Sequence, residues 1–301
     1  MRITPHSRLK QLTILILIFR LIFVLLLCAA APGSWAGDRI VERAYFEDAG
    51  GHLTLAEVQA RPLTPYAGVL SRGYTSSAIW LRLTIDPQPV TASDAPATLI
   101  LRVRPTYLDE VALFDPLQPR ATPRVVGDRH AWSNNEYQSL NFNFVIPRGE
   151  VSRSVWLRLK TSSTSLILVE ALDPSENVQS DRRIELLNSG LLALLLLFMI
   201  WALIQWFTTR EVVVGAFVIK QAVTIVYLLA YTGYLRIFLS GIVQPDWLDR
   251  FTSLTIVFGP AAAIFFDYSL LREYSPPRWG LRVLWLFLAL LPVEVALIAG
   301  G

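Results

Sequence analysis

The chain is poor in the residues from which disulfide frameworks and metal centres are built. Cys28 is its only cysteine, and His52 and His130 are its only histidines beyond residue 36. A single cysteine excludes an intrachain disulfide and a cysteine-based metal site. Two histidines far apart in sequence do not have the spacing of a zinc site. We therefore predict no metal and no cofactor.

Charged residues are scarce as well. They make up 17% of the chain against 53% hydrophobic residues, and the mean hydropathy is +0.44. The net charge of +3 is small and the basic residues are scattered, which excludes the basic footprint of a nucleic-acid-binding protein. The apolar residues are concentrated near the N-terminus and from Leu186 onward. This distribution predicts a membrane protein that has the lipid bilayer as a partner and no nucleic acid.

Residues 1–36 have the pattern of a secretory signal peptide. A basic start precedes the apolar run 12–31, and small residues follow, with Ser34 and Ala36 at the third and first positions before a cut. We expect cleavage after Ala36. An uncleaved signal anchor is the alternative, because the apolar run is long. Both readings predict export of the part that follows.

Residues 37–181 are predicted to form a folded domain outside the cytoplasm. The segments 77–85, 98–104 and 154–160 alternate apolar and polar residues, which is typical of strands with one face on a core. No helical stretch of convincing length is visible in this part, beyond a possible short turn at Leu55–Gln59. Many short strands with turn residues between them predict a periplasmic all-β jelly-roll sandwich. Further strand candidates are 110–114, 140–146 and 165–171.

The opposite faces of these strands suggest a binding surface. Trp80 precedes Arg82 by two residues, and Trp156 precedes Arg158 in the same way, so each ring shares a sheet face with a guanidinium. Such a surface suits a sugar ring stacked on tryptophan with its hydroxyl or acid groups held by arginine. The alternative is that the rings pack under a loop or beneath the arginines. The predicted ligand-binding residues are Trp80, Arg82, Arg102, Arg104, Trp156, Arg158 and Lys160.

The same strands carry a family resemblance. The Trp-Leu-Arg-Leu of residues 80–83 comes first, then Leu-Asp-Glu-Val at 108–111, Gly-Asp-Arg at 127–129 and a second Trp-Leu-Arg-Leu at 156–159. Their order resembles that in the type-2 extracellular domain of bacterial 7TM-DISM receptors, the seven-transmembrane receptors with diverse intracellular signalling modules. The resemblance implies a jelly-roll sensor domain similar to carbohydrate-binding modules, with carbohydrate ligands suspected.

Residues 182–301 are predicted to be a multi-span helical membrane domain. Four stretches, at about 184–207, 212–235, 251–271 and 281–299, each offer the roughly 20 residues that a span requires. The basic connection between the third and fourth spans is expected in the cytoplasm. The chain is thus predicted to be a multi-pass protein of the bacterial inner membrane, with its N-terminal domain in the periplasm and four of the family's seven spans.

Three ionisable residues lie within the predicted spans. They are Lys220, Asp267 and Glu294. Charge inside a membrane is costly when unpaired and is a functional hypothesis by default. Lys220 and Asp267 are candidates for a pair. The alternative is that Lys220 snorkels and Asp267 lies at the lipid boundary.

These features predict a membrane-bound sensory receptor, or its sensing portion, that detects an extracytoplasmic ligand and has no output module in this sequence. We expect no enzymatic activity, because adjacent carboxylates such as Asp109 and Glu110 point to opposite faces of a strand and cannot act as an acid–base pair. The alternative function is a membrane-anchored glycan-binding protein acting as a decoy or partner. A homodimer or a partner receptor is the expected protein partner.

Overall fold

The computed structural model describes residues 37–87, 97–137, 139–274 and 278–299. The predicted signal peptide lies outside these ranges. The described part consists of a β-sandwich followed by helices, in the order that the sequence predicts.

The described residues of the sandwich form ten strands in two antiparallel sheets. Sheet A has the strand order β2-β1-β4-β9-β6-β7 and sheet B the order β3-β10-β5-β8. The predicted all-β sandwich is confirmed, and its jelly-roll subtype stays a prediction. The strands are β1 (Ile40–Asp48), β2 (Thr64–Pro65), β3 (Leu70–Ser71), β4 (Ala78–Ile85), β5 (Thr98–Arg104), β6 (Glu110–Phe114), β7 (Arg124–Val126), β8 (Phe142–Pro147), β9 (Arg153–Lys160) and β10 (Leu166–Leu172).

The core lies between the two sheets. Ile79, Leu81 and Leu83 of β4 are fully buried, and they belong to the same cluster as Leu99 of β5 in the facing sheet. Burial of each such side chain contributes about 1.5–3 kcal/mol. The segments predicted to alternate therefore have their apolar faces inside, as expected.

A one-turn helix, α1 (Leu55–Gln59), covers part of the outer face of sheet A. It begins after Thr54, the first residue of a capping box. Val58 of α1 is fully buried and packs with Trp80 and Trp156 in a second apolar cluster. This part of the outer face is therefore covered by the chain itself.

The described C-terminal part is helical. Three helices among the described residues are long and apolar enough to cross a membrane: α2 (Pro174–Thr209), α3 (Val212–Tyr231) and α5 (Pro245–Glu273). The fourth predicted span falls on α6, where the apolar stretch among the described residues is the shorter Arg282–Val293. Three predicted spans thus have matching helices, and the fourth stays a prediction. The helices are α2 (Pro174–Thr209), α3 (Val212–Tyr231), α4 (Tyr234–Leu239), α5 (Pro245–Glu273) and α6 (Arg278–Ala299).

Helix α2 joins the sandwich directly to the first span. It begins after Asp173 in a capping box, with Pro174 in its first turn. Its 36 residues correspond to about 54 Å at 1.5 Å per residue, well beyond the roughly 30 Å of a hydrocarbon core. The turns before residue 184 are polar, and they pack against the sandwich through Asn177 and Asp181, both buried. The sandwich and the first span are therefore joined without an intervening loop.

Helices α3 and α5 are joined by residues 232–244, which contain α4 and are called the α3–α5 connection below. At its start the Thr106 hydroxyl of the sandwich donates to the Tyr231 carbonyl at 3.2 Å. Gly233 then adopts a left-handed φ of 86°, which turns the chain into α4. The connection therefore lies against the sandwich.

Candidate functional site

The predicted tryptophan surface is closed in this structure. Trp80 pairs with Arg158 across β4 and β9, and Arg82 pairs with Trp156, so the four residues share one face as predicted. However, Trp80 is 1% exposed and Trp156 is 6% exposed, because α1 covers both rings. A sugar ring cannot stack on either tryptophan unless α1 moves away. Both rings are instead packed inside the protein, which corresponds to the alternative interpretation of the sequence.

The predicted arginines are divided between two opposite faces. Arg102 and Arg104 lie on β5 in sheet B, whereas the tryptophans lie in sheet A. Both arginines donate to Glu170 of β10, at distances of 2.7 to 3.1 Å. They therefore do not form one binding surface with the tryptophans.

Arg102 has a different role, because it connects sheet B to α2. Its guanidinium is 3.1 Å from Asp181, and both side chains are nearly inaccessible to solvent. Asp181 also accepts hydrogen bonds from Asn141 at 2.9 Å and Asn177 at 3.2 Å. This buried group is called the α2 anchor. Removing one partner of a buried ion pair costs about 3–5 kcal/mol, so the anchor fixes the helix to the sheet.

A polar cleft of about 690 Å³ opens at the end of the sandwich that faces the helices. It is assembled from four separate segments of the chain. It combines hydroxyl groups with acidic and basic side chains, the composition of a site for a small polar ligand. Its lining residues are Tyr74, Thr75, Ser76, Asp109, Glu110, Arg129, His130, Lys160, Thr161 and Ser162.

The two carboxylates of the polar cleft are already engaged. Asp109 accepts from the Thr161 hydroxyl at 2.9 Å, and from the Ser162 hydroxyl and N–H at 2.8 and 3.0 Å. Glu110 is 3.2 Å from Arg158 and 3.4 Å from His130. Both acids therefore hold the loops of the cleft in place.

Two basic residues remain accessible in the polar cleft. Lys160 lies directly opposite Glu110 in the strand register, is exposed, and makes no ion pair with any residue that the structure describes. Arg129 is 46% exposed at its side chain. Its guanidinium contacts Asp109 at 3.2 Å, and it donates to the Ser162 hydroxyl at 3.0 Å.

Arg129 also connects the cleft to a membrane helix. Its Nε lies 3.4 Å from the Asp249 carboxylate, which belongs to the early turns of α5. One side chain thus forms part of the cleft wall and holds α5. This contact is long and partly exposed, in contrast to the α2 anchor. An ion pair of this kind contributes about 0–1 kcal/mol.

The α3–α5 connection makes a second, buried contact through Arg236 of α4. Its guanidinium donates to the Gly127 carbonyl at 3.1 Å and lies 4.5 Å from the ring centroid of Phe142 and 5.1 Å from that of Trp132. Burial lowers the pKa of Arg236 to about 10, partly offset by Asp128. The group stays cationic near neutral pH.

Asp128 lies between the polar cleft and the α3–α5 connection. Burial raises the pKa of its carboxyl to about 7, and the negative charges of Asp249 and Asp109 act in the same direction. Arg236 and Arg129 oppose this shift. The adjacent Gly127 is required by close packing, since a Cβ there would lie 2.0 Å from the Asp109 carbonyl oxygen. The backbone of this loop therefore contacts the cleft directly.

The intramembrane residues have separate surroundings. The Lys220 ammonium lies 4.9 Å from the ring centroid of Phe266, and no ion pair to Asp267 is present among the described side chains. Asp267 is exposed on α5. Glu294 belongs to α6, and its side chain lies outside the described residues. Within the described ranges, no group of histidine, cysteine, aspartate and glutamate has the arrangement of a metal site.

Sequence reasoning missed the residues that join the sandwich to the helices. Asp181 and Asn177 are hidden in a polar segment that hydropathy assigns to no span. Arg236 and Asp249 lie between the predicted second and third spans, where isolated charges are ordinary. Arg129 belongs to the Gly-Asp-Arg segment that was singled out by resemblance, and that was the one available signal.

The comparison with known families agrees with this architecture. Residues 42–171 match the family model described as 7TMR-DISM extracellular 2. The match begins within β1 and ends within β10, so it covers nearly the whole sandwich. No curated protein matches the chain. Residues 42–171 therefore form a 7TMR-DISM extracellular 2 domain, and the apolar helices that follow it are consistent with a 7TM-DISM receptor.

Proposed function

We propose that this protein is a sensory receptor that binds a ligand in the polar cleft and responds by changing the packing of its membrane helices. The observation that carries this proposal is the double position of Arg129, which lines the cleft and contacts Asp249 of α5. A ligand that engages Arg129 changes a charged contact that joins the cleft to that helix.

The unequal strength of the two attachments supports a relative movement. The α2 anchor is buried, and three side chains bind the carboxylate of Asp181 there. The anchor therefore keeps α2 fixed to sheet B. The Arg129–Asp249 contact is more exposed and longer. A ligand shifts a conformational equilibrium only by its differential affinity for the two states. A weak contact is the one that such a difference can overcome.

We propose a carbohydrate as the ligand, bound in the polar cleft instead of on the buried tryptophans. The cleft offers hydroxyl groups from Thr75, Ser76 and Ser162 together with charged groups for orientation. Tyr74 lines the cleft and is 81% exposed, so its ring is available for stacking. These are the groups that a sugar requires.

The receptor is further proposed to lie in the bacterial inner membrane as a multi-pass protein, with its sandwich in the periplasm. It has no catalysis of its own in this proposal. Its signal passes through helix contacts to a second copy, a partner receptor or an output module. A stable association with any of these partners would cover apolar faces of α2, α3 and α5 that otherwise contact lipid.

A glycan array probed with the full chain in phosphatidylcholine nanodiscs tests the ligand class and its location. We expect Lys160→Gln and Ser162→Ala to weaken the binding of any hit. Arg61→Gln, at an exposed residue that does not line the cleft, should leave binding unchanged. Loss of binding in Trp80→Phe, with both cleft variants unaffected, would contradict the proposed location and return the site to the tryptophans.

A further inference from the structure

We propose that the polar cleft selects a small carboxylate that also carries hydroxyl groups, and that this anion competes with Asp249 for Arg129. This inference rests on the proposed function, since it names the ligand chemistry of the same cleft. It also makes a specific statement about α5: the ligand carboxylate takes the place of a carboxylate that belongs to the helix.

The carboxylates of the cleft already have hydrogen-bond and ion-pair partners. Asp109 accepts three hydrogen bonds from Thr161 and Ser162 and contacts Arg129 as well. Glu110 is divided between Arg158 and His130. A cationic ligand would have to displace these partners from both carboxylates. The cleft therefore disfavours cations.

Positive charge in the cleft is not fully neutralised by the residues that the structure describes. Lys160 faces Glu110 across the sheet, yet the oxygens of that carboxylate are used by Arg158 and His130. Its ammonium has no acidic partner in the described part of the chain. A carboxylate between Lys160 and Arg129 would receive charge-assisted hydrogen bonds from both, and these are about twice as strong as neutral ones.

Of the two carboxylates that contact Arg129, Asp249 is the one that a ligand can displace. Asp109 is held by the β9–β10 loop and lies 3.2 Å from Arg129, so it remains in place. Asp249 lies at 3.4 Å, and the structure gives it no other ion-pair partner among the described residues. An incoming anion therefore displaces Asp249 and releases the early part of α5 from the cleft.

Hydroxyl groups complete the recognition. The hydroxyls of Thr75, Ser76 and Ser162 line the same space as Lys160. They match a ligand with alcohol groups next to its acid, such as a sugar acid. A neutral sugar makes the hydroxyl contacts alone and has nothing with which to compete for Arg129.

Isothermal titration calorimetry of the full chain in phosphatidylcholine nanodiscs tests the ligand class. The probes are glucuronate, galacturonate and glucose, the last being a neutral match. We expect a sugar acid to bind and glucose to bind at least about tenfold more weakly, equivalent to about 1.4 kcal/mol. Lys160→Gln should weaken sugar-acid binding by a similar factor, whereas Arg61→Gln should not. Equal affinity for glucose, or no binding of either acid at millimolar concentration, would overturn the proposal.

The competition has its own signature. Asp249→Asn removes the competing carboxylate and should raise the affinity for the sugar acid by about threefold, in keeping with the strength of an exposed ion pair. Asp246→Asn makes the same change of charge on the same helix, at an exposed residue with no contact to Arg129, and should have no effect. Equal gains in both variants would reduce the effect to general electrostatics and overturn the competition.

The two proposals fail in different ways. If glucose rather than a sugar acid binds and the helices respond, the receptor function stands and the anion class is wrong. If a sugar acid binds as predicted while Asp249→Asn leaves its affinity unchanged, the cleft selects anions but is not coupled to α5 through Arg129. That second result contradicts both the competition and the route assigned to the signal.

Discussion

At the residue scale, Asp128 makes the junction between sandwich and helices sensitive to pH. The pKa of its carboxyl is raised from 3.8 to about 7, chiefly by burial. The unfolded chain therefore loses this proton from about pH 4 upward, while the folded protein keeps it until about pH 7. The contribution of Asp128 to stability is accordingly complete below pH 4, and is lost as the pH rises through this window.

Asp128→Asn should remove that dependence. Relative to the variant, the wild-type protein is expected to lose up to about 1.4 kcal/mol of stability per pH unit between pH 4 and 7. Thermal unfolding of both proteins in nanodiscs at pH 5 and pH 7 measures the difference. Glu150→Gln, at an exposed carboxylate, is the matched control. Parallel pH profiles for Asp128→Asn and wild type would show that Asp128 is not protonated in the folded state.

The burial of Trp80 makes a second prediction at this scale. Trp80→Ala should destabilise the sandwich by about 3–5 kcal/mol, because it leaves a cavity beneath α1. Trp80→Phe keeps most of the packing and should leave ligand affinity unchanged. Thermal unfolding together with glycan titration separates the two effects. A folded Trp80→Phe protein with affinity reduced tenfold or more would instead support stacking of the sugar on this ring.

At the element scale, the α2 anchor determines whether the sandwich moves with the first span. Arg102→Met leaves Asp181 buried without its cation and should cost about 3–5 kcal/mol. Arg72→Met removes an arginine from an exposed pair with Glu47 and should cost less than about 1 kcal/mol. Chemical unfolding of the full chain gives both values. Adding Asp181→Leu to Arg102→Met should recover much of the loss, and strictly additive effects would show that the two residues are not coupled.

The individual strands could be predicted from the sequence, but the arrangement of their outer faces could not. Alternation in β4, β5 and β9 identifies the buried side of each strand, because side chains point to opposite faces with period two. The same period does not say which sheet a strand joins. Arg102 and Arg104 were therefore grouped with the tryptophans, although they lie in sheet B. Helix α1 is a single turn, too short for a periodic signal, and it is the element that closes the tryptophan surface.

The polar cleft and the junction were beyond sequence reasoning for a related reason. Lys160, Arg129 and Thr75 come from distant segments and meet only through the fold. The elevated pKa of Asp128 depends on burial between the sandwich and the α3–α5 connection. Helix α2 begins before the predicted first span, because polar residues that pack on the sandwich have low hydropathy. Each of these features requires long-range contacts that no local pattern specifies.

At the scale of the whole molecule, the proposed topology places the sandwich and the α3–α5 connection on one side of the membrane. Fusions of a cytoplasm-active reporter after residue 174 and after residue 276 test this arrangement. We expect an inactive reporter at the first position and an active one at the second, in agreement with the basic residues around Arg272. The opposite pattern would invert the receptor and remove access of periplasmic ligands to the cleft.

The central claim is that occupation of the polar cleft changes the position of the sandwich relative to α5. Double electron–electron resonance measures this directly, with spin labels at Leu117→Cys and Trp247→Cys, two exposed residues on the sandwich and on α5. Cys28 is replaced by serine. Arg129→Gln, which removes the contact to Asp249, provides the reference for the released state without ligand. The account predicts that saturating sugar acid shifts the wild-type distance distribution towards that of Arg129→Gln. Identical distributions for the free protein, the saturated protein and Arg129→Gln would contradict it.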